Sequence, residues 1–151
     1  MRAIVAIGVV LSIPLAPPLA AFANGRFPDA QQLVVDPTDD QHIAVQTTYG
    51  FITTRNGGTN WLWSCEQAAS YSGILDPPIA IVDGGVLIAA VFDGLSVTTP
   101  DGCDYSFVGG DLTDRFFVDV STLKQDPTIA IAISSDGIGG NMFDTQIFKS
   151  T

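Results

Sequence analysis

The sequence predicts an all-β fold, a partial β-propeller of four-stranded antiparallel blades. Beyond residue 23 the apolar residues show no helical periodicity. They fall in short runs separated by Gly, Pro, Asp and Asn, the pattern typical of strands and turns. The runs also recur in sets of four at a spacing of roughly 40 to 50 residues, the unit of a propeller blade. Eleven such runs leave no room for helices in this part of the chain.

The predicted strands fall into three blades in chain order. The blades occupy about residues 27–66, 74–109 and 115–151, within an incomplete propeller domain that spans residues 24–151. The third blade contains only three runs, so the prediction is about two and three-quarter blades. The runs are QQLVVD (31–36), HIAVQT (42–47), FITT (51–54), WLWSC (61–65), PIAIV (78–82), GVLIAAVF (85–92), LSVTT (95–99), DYSFV (104–108), RFFVDVS (115–121), TIAIAIS (128–134) and TQIFKS (145–150).

An internal repeat supports the division into blades. The segment GFITTRNGGTNW (50–61) aligns with GLSVTTPDGCDY (94–105) at an offset of 44 residues. We call residues 54–61 and 98–105 the repeat turns. The aligned pairs are Gly50 with Gly94, Thr54 with Thr98, Gly58 with Gly102, and Trp61 with Tyr105. In the third blade, Ser150 takes the position of Thr54 and Thr98.

The repeat turns resemble the Asp-box, or BNR repeat, of sialidase-like propellers, whose pattern is Ser/Thr-x-Asp-x-Gly-x-Thr-Trp. Thr54, Asn56, Gly58 and Trp61 fit this pattern, with Asn in place of Asp and Asn60 in place of Thr. The second turn keeps Thr98 and Gly102 but has Pro100 for the Asp and Tyr105 for the Trp, and Ser150 would begin a third copy. The resemblance covers nearly all of residues 27–151.

The resemblance implies that each repeat turn is a structural hairpin between the third and fourth strands of a blade. The hydroxyl and the Asp or Asn side chain can bond backbone groups of the turn, and glycine permits a positive φ. Binding sites in the family usually lie at the opposite end of the blades. The candidate ligand residues at that end are Tyr49, Tyr71, Phe92, Asp93, Asp114, Arg115 and Asn141. The segment SSDGIGGNMFD (134–144) is predicted to be a flexible loop at the same end.

Composition and charge limit the partners. The chain carries 16 acidic and 6 basic residues, a net charge of −10, and has no basic stripe, which argues against nucleic acid. We therefore expect an unknown protein or glycan ligand. We expect no metal and no cofactor, because His42 is the sole histidine and no His/Cys cluster exists.

The N-terminus predicts export. Residues 1–23 have an Arg, an apolar stretch and the small-residue site Ala21-Phe22-Ala23, which together indicate a secretory signal peptide. The apolar stretch is too short to span a membrane, so we expect no insertion after cleavage. The mature protein would be secreted, periplasmic or at the cell surface. Export makes a Cys65–Cys103 disulfide plausible, with two buried thiols as the alternative.

Two functions stay open. The first is an exported, non-enzymatic binding or scaffold module, with no catalytic residue assigned. The second is the N-terminal part of a sialidase-like glycoside hydrolase with most catalytic residues downstream and Arg26 as one substrate arginine. A sialidase needs three arginines and a Tyr/Glu pair, whereas Arg55 lies in a repeat turn and Glu66 is the sole glutamate. Because the chain stops within the third repeat turn, we expect a truncated reading frame.

Overall fold

The computed structural model contains three antiparallel sheets that follow one another along the chain. It describes residues 27–71, 75–99, 102, 104–139 and 142–151. The predicted signal peptide, Arg26, Cys103 and Asn141 lie outside the described residues. Among the described residues, no helix is long and apolar enough to cross a membrane.

Each sheet is one blade, and its strands pair in chain order. Blade 1 has the order β1-β2-β3-β4, blade 2 has β5-β6-β7-β8, and blade 3 has β9-β10-β11. The strands are β1 (Ala30–Val35), β2 (Ile43–Thr47), β3 (Gly50–Thr54), β4 (Leu62–Ser64), β5 (Ile79–Val82), β6 (Val86–Val91), β7 (Gly94–Thr98), β8 (Tyr105–Phe107), β9 (Phe117–Thr122), β10 (Ala130–Gly139) and β11 (Met142–Lys149). The predicted all-β partial propeller is therefore confirmed.

Two features differ from the sequence prediction. The segment 134–144 is not a flexible loop, because β10 continues to Gly139 and β11 already begins at Met142. The reason is antiparallel pairing, with Asp136 opposite Asp144 and Gly137 opposite Phe143, and a register shift between Gly137 and Gly139. A single turn of 3₁₀-helix (Gly110–Leu112) also interrupts the connection between blades 2 and 3.

The hydrophobic core lies between the blades. Strand alternation gives each blade two apolar faces, so blade 2 packs against both neighbours. On one side, Phe51 and Ala44 of blade 1 meet Ile79 and Ala89 of blade 2. On the other side, Phe117 of blade 3 belongs to a second cluster, which contains Ala80, Ile88, Leu95, Val120 and Ala132.

The first strands of the blades are joined by side-chain hydrogen bonds. Gln32 of β1 donates from Nε2 to the carbonyl of Ile79 in β5 at 2.9 Å and accepts from the Ile79 N–H at 2.7 Å. Thr122 of β9 donates its hydroxyl to the carbonyl of Ile81 at 2.6 Å. These bonds hold β1, β5 and β9 side by side along the inner edge of the arc and fix the register of one blade against the next.

Candidate functional site

The first repeat turn is a compact hydrogen-bonded hairpin. The Thr54 hydroxyl accepts from the N–H groups of Asn56 at 3.3 Å and Gly58 at 3.0 Å, and it donates to Asn56 Oδ1 at 3.0 Å. Asn56 Oδ1 also accepts from the Asn60 N–H at 2.8 Å. Gly58 has a φ of 91°, and the Trp61 ring lies over it. Every side chain of the motif is thus engaged within the turn.

Thr98 and Ser150 share a different contact. The Thr98 hydroxyl accepts from the N–H of Leu87, its cross-strand neighbour, at 2.9 Å. The Ser150 hydroxyl accepts from the N–H of Ala130 at 2.9 Å. Ala130 precedes Ile131, which pairs with Lys149, just as Leu87 precedes Ile88, which pairs with Val97. The two hydroxyls therefore occupy equivalent positions in blades 2 and 3.

The second repeat turn contacts blade 1. Tyr105 stacks on Phe51 of blade 1 with ring centroids 6.3 Å apart. Burial raises the pKa of the Tyr105 hydroxyl, which is also hydrogen-bonded to Ser64. Arg55 of the first turn donates from Nη2 to the carbonyl of Gly85 in blade 2 at 3.1 Å. These contacts connect blades 1 and 2. We call the end of the molecule that carries the repeat turns the turn end.

The opposite end carries the short connections between second and third strands and the links between blades. Here a cavity of about 310 Å³ lies between the segment that follows β4 and the turn between β6 and β7. Its lining residues are Gln67, Ser70, Tyr71, Phe92 and Asp93. The structure therefore brings three of the predicted ligand residues, Tyr71, Phe92 and Asp93, to one cavity.

Aromatic side chains shape this cavity. Tyr71 is 7% exposed, and its ring packs against Phe51 with centroids 5.5 Å apart. Its side chain is therefore a buried part of the cavity wall and not an exposed contact surface. Phe92 is 48% exposed and stacks on Phe116 with centroids 4.7 Å apart and an interplanar angle of 19°. Phe92 thus presents an exposed ring whose position is fixed by a partner behind it.

The other predicted residues within the described part of the chain, Tyr49, Asp114 and Arg115, do not line this cavity. Asp114 has a φ of 56°, and its N–H donates to the carbonyl of Asp93 at 3.0 Å. Tyr49 lies at the same end of blade 1, in edge contact with Trp63, whose Nε1 donates to the Tyr49 carbonyl at 3.1 Å. Asn141 is outside the described residues.

Arg115 is engaged on several sides. Its Nη1 lies 3.1 Å from Asp136 Oδ2, and its Nε donates to the carbonyl of Asp111 at 2.8 Å. Its guanidinium carbon lies 5.3 Å from the centroid of the Phe148 ring. The N–H of Phe116 donates to the other Asp136 oxygen at 2.8 Å. Arg115 therefore joins the link between blades 2 and 3 to the hairpin of blade 3.

The opposite end is acidic. Among the described residues, Arg115 is the single basic side chain there, because Arg55, Lys124 and Lys149 lie toward the turn end. The described carboxylates at the opposite end belong to Asp29, Glu66, Asp76, Asp93, Asp111, Asp114, Asp136 and Asp144. Such a surface offers hydrogen-bond acceptors for hydroxyl groups and disfavours an anionic ligand.

A second cavity of about 310 Å³ runs along the inner edge of the arc, beside Gln32, Ile81 and Thr122. Its Gln32 and Thr122 side chains already bond backbone groups of blade 2. No group of three His, Cys, Asp or Glu side chains within the described residues could hold a metal ion. We therefore regard the cavity at the opposite end as the candidate site.

The cysteine prediction is only partly covered by the structure. Cys65 follows β4 and carries a free thiol. Cys103 lies outside the described residues. The Cys65–Cys103 disulfide therefore stays a prediction.

Sequence reasoning missed several residues of this region, namely Trp63, Gln67, Phe116, Asp136 and Met142. The run RFFVDVS (115–121) predicts a strand that includes Phe116, whereas β9 begins at Phe117. Asp136 and Met142 lie in the segment 134–144, for which the sequence predicts a loop. One sequence signal indicates Asp136 and Met142. When the three blades are aligned on Thr54, Thr98 and Ser150, the hairpin of blade 3 is longer than its counterparts.

Comparison with known proteins supports the fold. No family model matches the chain, and no curated protein matches it. The solved structure of an ancestral GH74 enzyme matches with a TM-score of 0.56 and 12% identity over 82% of this chain and 19% of that chain. The GH74 xyloglucanase from Xanthomonas campestris matches with a TM-score of 0.55 and 14% identity over 80% of this chain and 20% of that chain. The chain thus spans about a fifth of their length, and the likeness supports the propeller fold alone.

Proposed function

We propose that this chain is part of an exported Asp-box propeller that binds a neutral glycan, without catalysis, at the end opposite its repeat turns. The observation that carries the proposal is the cavity beside Phe92 and Asp93. A concave site with an aromatic surface and a few polar groups is the usual form of a small-ligand site. A protein is the other kind of ligand that a binding module could hold at this end.

The chemistry of the site favours a polyhydroxylated ligand. The exposed Phe92 ring offers an apolar surface on which a sugar ring can lie, and Asp93 is a hydrogen-bond acceptor for sugar hydroxyls. A sialic acid or other anion would need a cation, but Arg115 is already bound by Asp136. This pairing supports a neutral ligand over the substrate of a sialidase.

Assignment to the Asp-box class rests on the repeat-turn geometry. The Thr54 hydroxyl and the Asn56 amide bond the backbone of the first turn as the resemblance implies. The equivalent contacts of Thr98 and Ser150 support a third copy of the repeat in blade 3. Together they support a structural role for these turns, which leaves the opposite end for the ligand.

Export and the domain boundaries are part of the proposal. Residues 1–23 would be removed as a signal peptide, and the propeller domain would begin at Asn24. Expression in a secreting host followed by N-terminal sequencing tests this step. A mature protein that retains Met1 would contradict export.

The binding test uses a xyloglucan heptasaccharide as a neutral probe, with affinity measured by calorimetry. We expect Phe92→Ala to weaken binding about tenfold, because an aromatic contact surface is lost. Asp93→Asn should weaken binding by a smaller factor. Leu62→Ala is the control, since Leu62 is similarly exposed but lies at the turn end of β4. Failure of the wild-type chain to bind, or equal binding by Phe92→Ala, would contradict the proposal.

A second candidate function is a part of a glycoside hydrolase. It is favoured by the likeness to two solved structures that are named as GH74 enzymes. Asp93 lines the cavity, and the Asp114 N–H donates to the Asp93 carbonyl. Release of reducing ends from xyloglucan, abolished by Asp93→Asn, would favour this function. Binding without any release of reducing ends would favour the non-enzymatic module.

A further inference from the structure

The hairpin of blade 3 carries an insertion that blades 1 and 2 lack. The last strand pairs before the connection are Thr47 with Gly50 in blade 1 and Val91 with Gly94 in blade 2, and each pair is closed by two residues. The equivalent pair in blade 3 is Ser134 with Gln146, and eleven residues lie between them. We call residues 135–145 the arm. It is nine residues longer than its counterparts.

The arm extends the sheet and contains a register shift, a β-bulge or irregularity, between Gly137 and Gly139. Its cross-strand pairs are Ser135 with Thr145, Asp136 with Asp144, Gly137 with Phe143, and Gly139 with Met142. Four further pairs lengthen the hairpin by about 13 Å at the usual rise per residue of a strand. The arm therefore projects past the level of the short turns at which Tyr49 and Phe92 lie.

The base of the arm is attached to the candidate site. Asp136 accepts from the Phe116 N–H and pairs with Arg115, and the Ser135 N–H donates to the Phe116 carbonyl at 2.9 Å. Phe116 in turn stacks on Phe92, which lines the cavity. A continuous series of contacts thus fixes the arm beside the exposed ring of Phe92.

The two sides of the arm face different directions. Strand alternation places Met142 on the same side of β11 as Asp144, Gln146 and Phe148. Phe148 packs against the core cluster between blades 2 and 3, so this is the side toward blade 2. Phe143 lies on the other side together with Ile147. Met142 and Phe143 are similarly exposed, at 61% and 66%.

We propose that the arm is one wall of the binding site and that Met142 and Asp144 contact the distal units of an extended oligosaccharide. The arm then determines specificity for length, because a mono- or disaccharide at Phe92 does not reach it. Met142 supplies apolar surface. Asp144 Oδ2 accepts from Gln146 Nε2 at 2.6 Å, and the carboxylate has further acceptor positions for a sugar hydroxyl. This proposal rests on the glycan-binding function proposed above and adds the ligand's length and its second point of contact.

Paired variants of the full chain test the arm, with the xyloglucan heptasaccharide and cellobiose as probes. Met142→Ala should weaken heptasaccharide binding about tenfold and leave cellobiose binding unchanged. Phe143→Ala is the matched control and should change neither affinity. A variant with residues 137–143 replaced by the two-residue turn of blade 2 keeps the contacts of Ser135 and Asp136 with Phe116 and should bind both probes with similar affinity.

The outcomes distinguish the proposed role of the arm from the proposed glycan binding at the cavity. If Phe92→Ala weakens binding but Met142→Ala and the shortened hairpin retain the preference for the heptasaccharide, the arm proposal is wrong and glycan binding stands. Equal losses in Met142→Ala and Phe143→Ala would also overturn it, because the two sides of the arm would then be equivalent. No binding by the wild-type chain would overturn both proposals.

Discussion

The backbone of Gly50 passes against the carbonyl of Ser64 so closely that a Cβ at residue 50 would overlap the oxygen. Gly50 also has a φ of 124°, a conformation that residues with a Cβ rarely adopt. We expect Gly50→Ala to lower the free energy of unfolding by roughly 2–5 kcal/mol through strain and overlap together.

Gly84→Ala is the matched control for this prediction. Gly84 has a φ of 82°, but no atom lies within 4 Å of its Cβ position. Only the backbone term of about 1–2 kcal/mol should then be lost. Urea denaturation measures both variants, and similar losses would show that the contact with Ser64 is unimportant.

The Thr54 hydroxyl should stabilise the first repeat turn. Thr54→Val keeps the side-chain volume but leaves the N–H groups of Asn56 and Gly58 without their acceptor. We expect a loss of about 1–3 kcal/mol in the free energy of unfolding. Thr53→Val, one residue earlier in β3, should change stability by less than about 0.5 kcal/mol. Thermal and urea unfolding measure both variants. If Thr54→Val and Thr53→Val both had the wild-type free energy of unfolding, the role of the Thr54 hydroxyl would be contradicted.

The strands were predictable because they depend on local sequence. Alternating apolar runs bounded by Gly, Asp and Pro gave all eleven strands to within a few residues, except in the arm. There, glycines and aspartates disfavour a strand locally, and cross-strand pairing with 142–146 together with the Asp136 contacts overrides that preference. Pairing of this kind is a tertiary effect that a single segment does not encode.

The candidate site was predictable only in part, for a similar reason. Phe92 and Asp93 follow from topology, since a two-residue turn between second and third strands must lie opposite the repeat turns. The stacking of Phe116 on Phe92 depends on how blades 2 and 3 pack, which no local pattern reveals. The burial of Tyr71 likewise depends on its contact with Phe51 across the interface between blades 1 and 2.

Asp36 should make stability depend on pH in the acid range. Burial of this carboxylate raises its pKa, but hydrogen bonds from Thr38 and His42 outweigh that effect, and the pKa lies below the ordinary value of 3.8. A lowered folded-state pKa gives stability that is fully present above the unfolded-state pKa. That stability is lost as the pH falls through the folded-state pKa.

The measurement is the melting temperature between about pH 2 and pH 6, the range around the unperturbed carboxyl pKa. Wild-type protein should lose stability below about pH 4, and Asp36→Asn should be less stable at pH 6 with a shallower acid dependence. Asp40→Asn, which removes an exposed carboxylate, should retain the wild-type slope. An unchanged slope in Asp36→Asn would exclude this carboxylate as the source.

The predicted Cys65–Cys103 disulfide has a direct chemical test. Protein exported into an oxidising compartment should show no reactive thiol until a reductant is added, and reduction should lower stability by roughly 4 kcal/mol for a loop of this length. Thiol titration with and without reductant, combined with peptide mass mapping, measures the bridge. Two reactive thiols in oxidised protein would leave Cys65 as the free thiol found in the structure.

The outer sheet faces of blades 1 and 3 should cause the isolated chain to associate with itself. On blade 1, Leu33 aligns through Val45 and Ile52 with Trp63 in one apolar row. Leu33 and Trp63 are 62% and 63% exposed, and Ile147 on the far face of blade 3 is 73% exposed.

Contiguous exposed apolar surface of this kind favours association, and each blade depends on a neighbour for burial. We expect oligomers whose size grows with concentration in sedimentation velocity. The double variant Leu33→Gln/Ile147→Gln should shift the population toward monomer, because one face at each end of the arc becomes polar. Leu62→Gln is the control. Leu62 is 61% exposed, but it pairs with Thr53, one position from the apolar row, and so lies on the other face of the sheet. Its substitution should leave association unchanged. A wild-type chain that sediments as a monomer at every concentration would show that these faces do not bind one another.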